Sequence, residues 1–226
     1  MNTNEFQSEI GILFKDDRVL KEALTHRSYL NENKDWPYVH NERLEFLGDA
    51  VLELAVTRAL FRAFPKEEEG KLTMMRAALV NSRMLAKIGK SIRLQEHLLL
   101  SGKKEDRAGK ITATVLADAF EALVGAIYLD QGYDAAEKFI KDRVVSRIDE
   151  IKRKGYRDPK SVLQEKTHDA LKITPTYKLL SESGPKHQKS FKAGVYFGEK
   201  LIAEGEGPSK QEAEEEAARK ALTTIV

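Results

Sequence analysis

Residues 41–54 (NERLEFLGDAVLEL) carry Glu42, Glu45 and Asp49 at i, i+3 and i+7, a spacing that a helix turns into one stripe of carboxylates. Like charges so placed destabilise a helix by about 0.2–0.5 kcal/mol per pair, and a structural helix ordinarily offsets them with Lys or Arg three or four positions away. Here the helical neighbours of Glu45 are Asn41, Glu42, Gly48 and Asp49, and those of Asp49 are Glu45, Phe46, Leu52 and Glu53. None is basic. Residues 111–129 repeat the pattern, with Asp118 and Glu121 at i and i+3 in a strongly apolar run and no cation among Thr114, Val115, Ala117, Ala122, Val124 and Gly125. Acids in such surroundings are costly unless something positive meets them. One solution is a set of ion pairs to Arg43, Arg76 or Arg83. The other, and the stronger, brings Glu45, Asp49, Asp118 and Glu121 into one all-oxygen cage for Mg2+ or Mn2+, hard cations that prefer carboxylates and water.

A divalent ion in a carboxylate cage is equipment for attack on a phosphodiester. The ion lowers the pKa of a bound water and neutralises charge building on the phosphate and the leaving oxygen. Two ions about 3.5–4 Å apart would clamp both the attacking and the departing oxygen. Rival chemistries lack their motifs: there is no GxxxxGK[ST] loop, no GxGxxG after a strand and no HExxH. The histidines, His26, His40, His97, His168 and His187, are too scattered for a zinc site, and His26 in LTHRSY reads as a packed or capping residue.

Helices must position both acidic segments. Apolar residues recur at three and four in Val19, Leu20, Ala23 and Leu24; in Leu44, Leu47, Val51, Leu52, Leu54 and Ala55; and in Leu79, Met84, Leu85 and Ile88. Leu116, Ala119, Phe120, Leu123, Val124, Ile127 and Tyr128 continue the pattern, and Phe139, Ile140, Val144, Ile148 and Ile151 close it. Breakers separate these runs at Pro37, Pro65, Gly70, Gly102, Gly109 and Gly132. Residues 1–151 are therefore expected to form an all-helical domain. A basic, flexible linker is expected at 152–158, and a small α-β-β-β-α domain at 159–226. Its elements are a helix at 160–171, strands at 176–180, 191–197 and 200–204, and a last helix opened by Ser209 as N-cap with Glu212 as its capping-box partner. In the central strand Phe191, Ala193, Val195 and Phe197 share one side, and Ala213, Ala217, Ala218 and Ala221 give the last helix a face that can lie flat on a sheet.

The 226 residues are 41% hydrophobic and 33% charged, a globular, helix-leaning composition. Cysteine is absent, which excludes disulfides, thiolate zinc sites and a cysteine nucleophile, and fits a reducing cytoplasm. No apolar run approaches the roughly 18–20 residues that cross a bilayer, and the N-terminal MNTNEFQSEI does not read as a secretory signal, so a cytoplasmic protein without membrane contact is expected. The net charge of +2 divides into −2 over residues 1–150 and +4 over 151–226. Residues 152–160 hold five basic side chains against one acid, compatible with a polyanionic partner.

The segment HNERLEFLGDAVLEL resembles the signature of bacterial ribonuclease III, closely so over NERLEFLGD, and LADAFEALVGAIYLD resembles that family's second acidic motif. THRSY and EEGKLTMMRAALVN match further landmarks, and the α-β-β-β-α unit resembles the double-stranded-RNA-binding domain that follows the nuclease domain there. The resemblance implies a Mg2+-dependent cleavage site of Glu45, Asp49, Asp118 and Glu121, with Mn2+ able to substitute for Mg2+ and no small-molecule cofactor. Glu42 and Glu69 match two further acids of the catalytic valley. Phe46 stands where the family places an aromatic knob in a partner's socket, which implies a homodimer with each subunit cutting one strand. Implied products carry 5'-phosphate and 3'-hydroxyl ends with a two-nucleotide 3' overhang. Implied substrates are ribosomal RNA precursors and some messenger and transfer RNAs.

A-form RNA is read by shape, through 2'-hydroxyls across the minor groove and the phosphates between. By resemblance Gln164 and Glu165 reach one minor groove, the loop with Pro185, Lys186 and His187 enters the next, and Ser209 and Lys210 face phosphates. Relatives often carry two or three basic residues at that helix start. This chain has Gln211 and Glu214 in the relevant places, so phosphate contact there should be weaker, with Lys186, Lys189 or the basic linker compensating. Two other readings are a non-catalytic double-stranded-RNA-binding protein and a phosphohydrolase acting on small nucleotides. The first should have lost an acid, whereas every acid of the motif is present. The second would have no use for the C-terminal domain.

Overall fold

The computed structural model describes residues 3–102, 111–154, 159–184 and 189–224, in two compact units, Met1–Lys154 and Gly155–Val226. The first unit is helical, as expected. Its elements are α1 (Asn4–Ile10), α2 (Asp17–Ala23), α3 (Tyr29–Glu32), α4 (Glu42–Ala63), α5 (Glu69–Val80), α6 (Ser82–Ser91), α7 (Leu94–His97), α8 (Ala113–Gln131), α9 (Tyr133–Arg143), a 3-10 turn at Val145–Arg147, and α10 (Ile148–Lys154). No helix among the described residues is long and apolar enough to cross a membrane.

Helix α8 is the centre of this unit. Thr112 starts it by accepting the N–H of Val115 at 3.2 Å, and it packs against α2, α4, α6 and α9. Leu116, Ala119, Phe120, Leu123, Val124 and Ile127 are fully buried, and each large side chain among them contributes about 1.5–3 kcal/mol of transfer free energy. Its C-terminal end holds the N-terminal segment. Asp130 accepts the backbone N–H groups of Lys15 and Asp16, both at 2.9 Å, and Gln131 donates to the Leu13 carbonyl at 2.8 Å.

Two of the periodic runs prove to be broken. Residues 79–88 span the junction of α5 and α6, where Asn81 is extended (φ −70°, ψ 153°). Its amide nitrogen donates to the Ala77 and Ala78 carbonyls at 3.1 and 3.0 Å while its Oδ1 accepts from the Met84 N–H at 2.9 Å. One side chain thus satisfies orphan groups of two helix ends. Residues 139–151 likewise divide among α9, the 3-10 turn and α10. Helix α10 continues to Lys154, so the first three residues of the expected linker are helical; residues 155–158 lie outside the described residues.

The second unit has the order α11 (Pro159–Leu171), β1 (Thr176–Ser183), β2 (Ser190–Phe197), β3 (Lys200–Gly207) and α12 (Lys210–Thr224). The sheet is antiparallel in the order β1-β2-β3, with Tyr177 opposite Val195 and Val195 opposite Ala203. Both outer strands run further than apolar alternation indicates, because main-chain pairing continues past it: Glu182 opposes Phe191, and Phe191 opposes Gly207. The core is Leu163, Val195, Ala217, Ala218 and Ala221, flanked by Tyr177, Phe197 and Ile202. Helix α12 lies so close to β3 that a Cβ on Gly205 would stand 2.2 Å from both the Ala213 carbonyl oxygen and the Ala217 nitrogen.

Candidate active site

Helices α4 and α8 cross with their backbones in contact. A Cβ on Gly48 would lie 1.8 Å from the Glu121 carbonyl oxygen, and one on Gly125 would lie 2.3 Å from the Leu44 carbonyl oxygen. The carboxylates flank that contact. Glu45 lies one turn before Gly48 on α4, and Asp118 and Glu121 lie in the two turns before Gly125 on α8. Each of these three half-buried side chains offers a carboxylate oxygen, and the three oxygens lie within 4.8 Å of one another. Oxygens bound to a single octahedral Mg2+ stand about 3–4 Å apart, so the trio has the donor type and the spread that such an ion would draw together.

The electrostatics show that these carboxyls are costly to ionise together. Burial first, and then the charges of Asp49, Asp118, Glu45 and Glu53, push the Glu121 carboxyl up to about 7. Glu45 is also raised, by burial and then by Asp118, Glu42 and Asp49. Asp118 is raised by burial, with His26 and a backbone N–H opposing. The charges that bear most on Glu121 and Glu45 are thus all acids. Among the described residues, Glu45, Asp49, Asp118 and Glu121 make no ion pair within 4.0 Å, while Arg76 is engaged elsewhere: its Nε bonds the Glu53 Oε2 at 2.9 Å and its guanidinium donates to the Thr57 hydroxyl at 3.1 Å.

The remaining expected residues occupy distinct places. Asp49 is exposed and stands outside the trio of converging oxygens, although its charge bears on Glu121. Glu42 is exposed and within 3.7 Å of both the Arg27 guanidinium and the His40 Nδ1, so Arg27 gives it an ion pair that the trio lacks. Glu69 is exposed in the first turn of α5 and accepts from the Thr73 hydroxyl at 3.0 Å. His26 is part-buried in the turn before α3, where its Nδ1 accepts the Ser28 N–H at 3.1 Å. Phe46 is 82% exposed. Leu54, counted among the periodic apolar residues, is 51% exposed, and Phe61, which sequence reasoning did not single out, is 72% exposed on the same helix. Their spacing from Phe46, eight and fifteen residues, carries the signal.

In the second unit Gln164 and Glu165 are exposed on α11, where they line a shallow groove with Ser161, His168 and Asp169. Ser209 caps α12 by accepting the Glu212 N–H at 3.2 Å, and Lys210 is exposed at that helix's first position. Pro185, Lys186 and His187 lie outside the described residues. Glu214 does not stand as a bare negative charge, since Lys160 bonds it at 2.5 Å while lying 4.4 Å from the Tyr177 ring. Lys189 is paired with Glu182.

Comparison with known proteins agrees with this division. A family model described as Ribonuclease-III-like matches residues 16–148, and one described as Double-stranded RNA binding motif matches residues 159–225. The chain is 44% identical over 223 residues to Ribonuclease 3 of Enterococcus faecalis, covering 99% of this chain and 97% of that protein. It is 43% identical over 221 residues to Ribonuclease 3 of Geobacillus kaustophilus, covering 98% and 90%. Among solved structures, the ribonuclease III nuclease domain of Campylobacter jejuni superposes with a TM-score of 0.56 at 40% identity, covering 63% of this chain and 98% of that one; that domain is described as flexible in a region involved in dimer formation.

Proposed function

The chain belongs to the ribonuclease III family and is an endoribonuclease with a double-stranded-RNA-binding unit, and from that premise we propose a Mg2+-dependent cleavage centred on Glu45, Asp118 and Glu121. The observation that carries the proposal is the convergence of those three half-buried carboxylates, none of which makes an ion pair within 4.0 Å among the described residues. Mg2+, or Mn2+ in its place, would lower the pKa of the attacking water and neutralise the scissile phosphate. The three carboxylates hold the ion. Asp49, exposed and with its charge bearing on Glu121, is assigned to take the proton of the attacking water. Glu42 and Glu69 are assigned as outer acids of the same valley.

Double-stranded RNA is held by the second unit, with Gln164 and Glu165 toward 2'-hydroxyls, Ser209 and Lys210 toward phosphates, and Pro185, Lys186 and His187 in a neighbouring groove. Phe46, Leu54 and Phe61 give α4 an exposed apolar face that favours burial against a second copy. In the resulting homodimer each site cuts one strand, leaving 5'-phosphate and 3'-hydroxyl ends with two-nucleotide 3' overhangs. The substrates proposed are ribosomal RNA precursors and some messenger and transfer RNAs, processed in the cytoplasm.

Cleavage of an end-labelled RNA hairpin by the native chain and by Glu121→Gln tests the reading. Cutting only with Mg2+ or Mn2+ is expected, together with at least a thousandfold loss of rate in a variant that still binds the hairpin. Equal binding with no cutting under any divalent ion would leave a non-catalytic RNA-binding protein instead. Sedimentation of Phe46→Asp tests the dimer, which should dissociate.

A further inference from the structure

We infer that the Gly48–Gly125 contact sets the size of the carboxylate cage and so decides which divalent cation it prefers. The inference rests on the cation site proposed above. Ordinary packed helices keep their axes about 8–10 Å apart because side chains stand between them. At the closest approach here none does: a Cβ on Gly48 would stand 1.8 Å from the Glu121 carbonyl oxygen and one on Gly125 2.3 Å from the Leu44 carbonyl oxygen, both closer than a real Cβ comes, with the Gly48 nitrogen 3.1 Å from the latter. The backbone in contact is the backbone that carries the site. Glu121 is both the residue whose carbonyl Gly48 touches and one of the converging acids, and Leu44 immediately precedes Glu45.

The distance between the α4 and α8 ligands is therefore fixed by main chain, which cannot rotate away as a side chain can. An added methyl group would have to push the helices apart by about an ångström to relieve these approaches, because carbon and oxygen settle beyond about 3 Å. That step is comparable to the difference between two kinds of ion. Mg2+ takes oxygens at about 2.0–2.1 Å in near-ideal octahedral geometry, whereas Ca2+ takes them at about 2.3–2.6 Å with loose geometry. A cage held closed at the Gly48–Gly125 contact favours the smaller ion, and a cage propped open favours the larger. Gly89, where α6 meets the same helix α8, provides the comparison. A Cβ there would press on the Leu116 side chain at 3.0 Å and come no nearer than 3.5 Å to backbone, so Gly89→Ala loads α8 without forcing its main chain from α4.

The test is calorimetric titration of the full chain with Mg2+, Mn2+ and Ca2+, without RNA, for the native protein, Gly125→Ala, Ala122→Val and Gly89→Ala. Ala122 is buried against Leu44, so its enlargement thickens the same crossing through side chains and supplies a decisive variant if Gly125→Ala does not fold. Circular dichroism establishes which variants are folded. The native chain and Gly89→Ala should prefer Mg2+ and Mn2+ over Ca2+ by the same ratio. Folded Gly125→Ala or Ala122→Val should lose at least tenfold in Mg2+ affinity and at least fivefold in the Mg2+-to-Ca2+ ratio. An unchanged ratio in a folded crossing variant overturns the inference and leaves the cation site standing. A native chain that binds no divalent ion overturns both.

Discussion

At the α4–α8 crossing a methyl group on Gly48 would meet a carbonyl oxygen at 1.8 Å; at the β3–α12 crossing one on Gly205 would meet carbonyl and amide at 2.2 Å. Both units therefore bring two elements to backbone contact through glycine. What converges there differs. In the second unit it is a row of fully buried alanines, Ala213, Ala217 and Ala218, and the charged residues of α12 lie outside it, with Glu214 bonded to Lys160 and Glu216 to Arg219. In the first unit it is Glu45, Asp118 and Glu121. Close approach that packs neutral groups serves stability alone. Close approach that collects like charges works against stability, and the expense points to the function it serves.

The comparison can be broken at several points. The largest effect is expected at Gly205→Ala, where overpacking should cost about 3 kcal/mol and abolish duplex RNA binding. Mn2+ binding to the same variant should persist; a filter-binding and calorimetry pair that shows both lost would erase the distinction between the units. The next largest concerns pH. The Glu121 carboxyl has its folded value at about 7, raised from the ordinary 4.5, so between those values the folded state holds more protons than the unfolded one. Stability without metal should therefore be greatest near pH 5 and decline as pH rises toward 7, where the folded carboxyl ionises. Glu121→Gln should flatten that decline. Melting temperatures in a chelator from pH 5 to 8 decide it, and a native chain that gains stability across this range would show that the acids are not in conflict.

Smaller effects sharpen the contrast. Lys160→Ala removes a partly exposed ion pair and a cation–π contact and should cost about 1 kcal/mol of the second unit's stability, read by urea unfolding. Arg76→Gln releases Glu53, the one acid of the α4 stripe below Asp49 that has a bonded counter-charge, and should cost about 0.5 kcal/mol with a clear salt dependence. A cost that salt does not change would mean that Arg76 serves packing instead.

The acids of the site were legible in the sequence because their helical neighbours are apolar or acidic, and helix geometry is local. The convergence of the two helices followed from their uncompensated acids, but the glycine contact that brings it about did not, since a glycine inside an apolar helix carries no sign of what it touches. Glu42 reads like Glu45 in sequence, yet Arg27 and His40 reach it from residues before the helix, contacts that depend on the path of the chain. The α5–α6 joint escaped for a different reason: apolar spacing runs through Asn81, and only its side-chain bonds reveal two helices. In the small unit the helices and the central strand were plain from alternation and capping. The far halves of β1 and β3 are polar and glycine-rich, so only main-chain pairing defines them.

The clasp of Asp130 on the backbone of Lys15 and Asp16 joins residues more than a hundred positions apart. A ribosome adds roughly 5–20 residues per second, so the interval between finishing α4 and finishing α8 lasts roughly 3–14 s. Through that interval α4 has no α8 to cover it: Gly48 lacks the backbone it finally packs against, and Glu45 has not yet met Asp118 and Glu121. The clasp on the N-terminal segment therefore cannot form before residue 130 has been made, so the first unit cannot complete these contacts in the order in which its chain emerges.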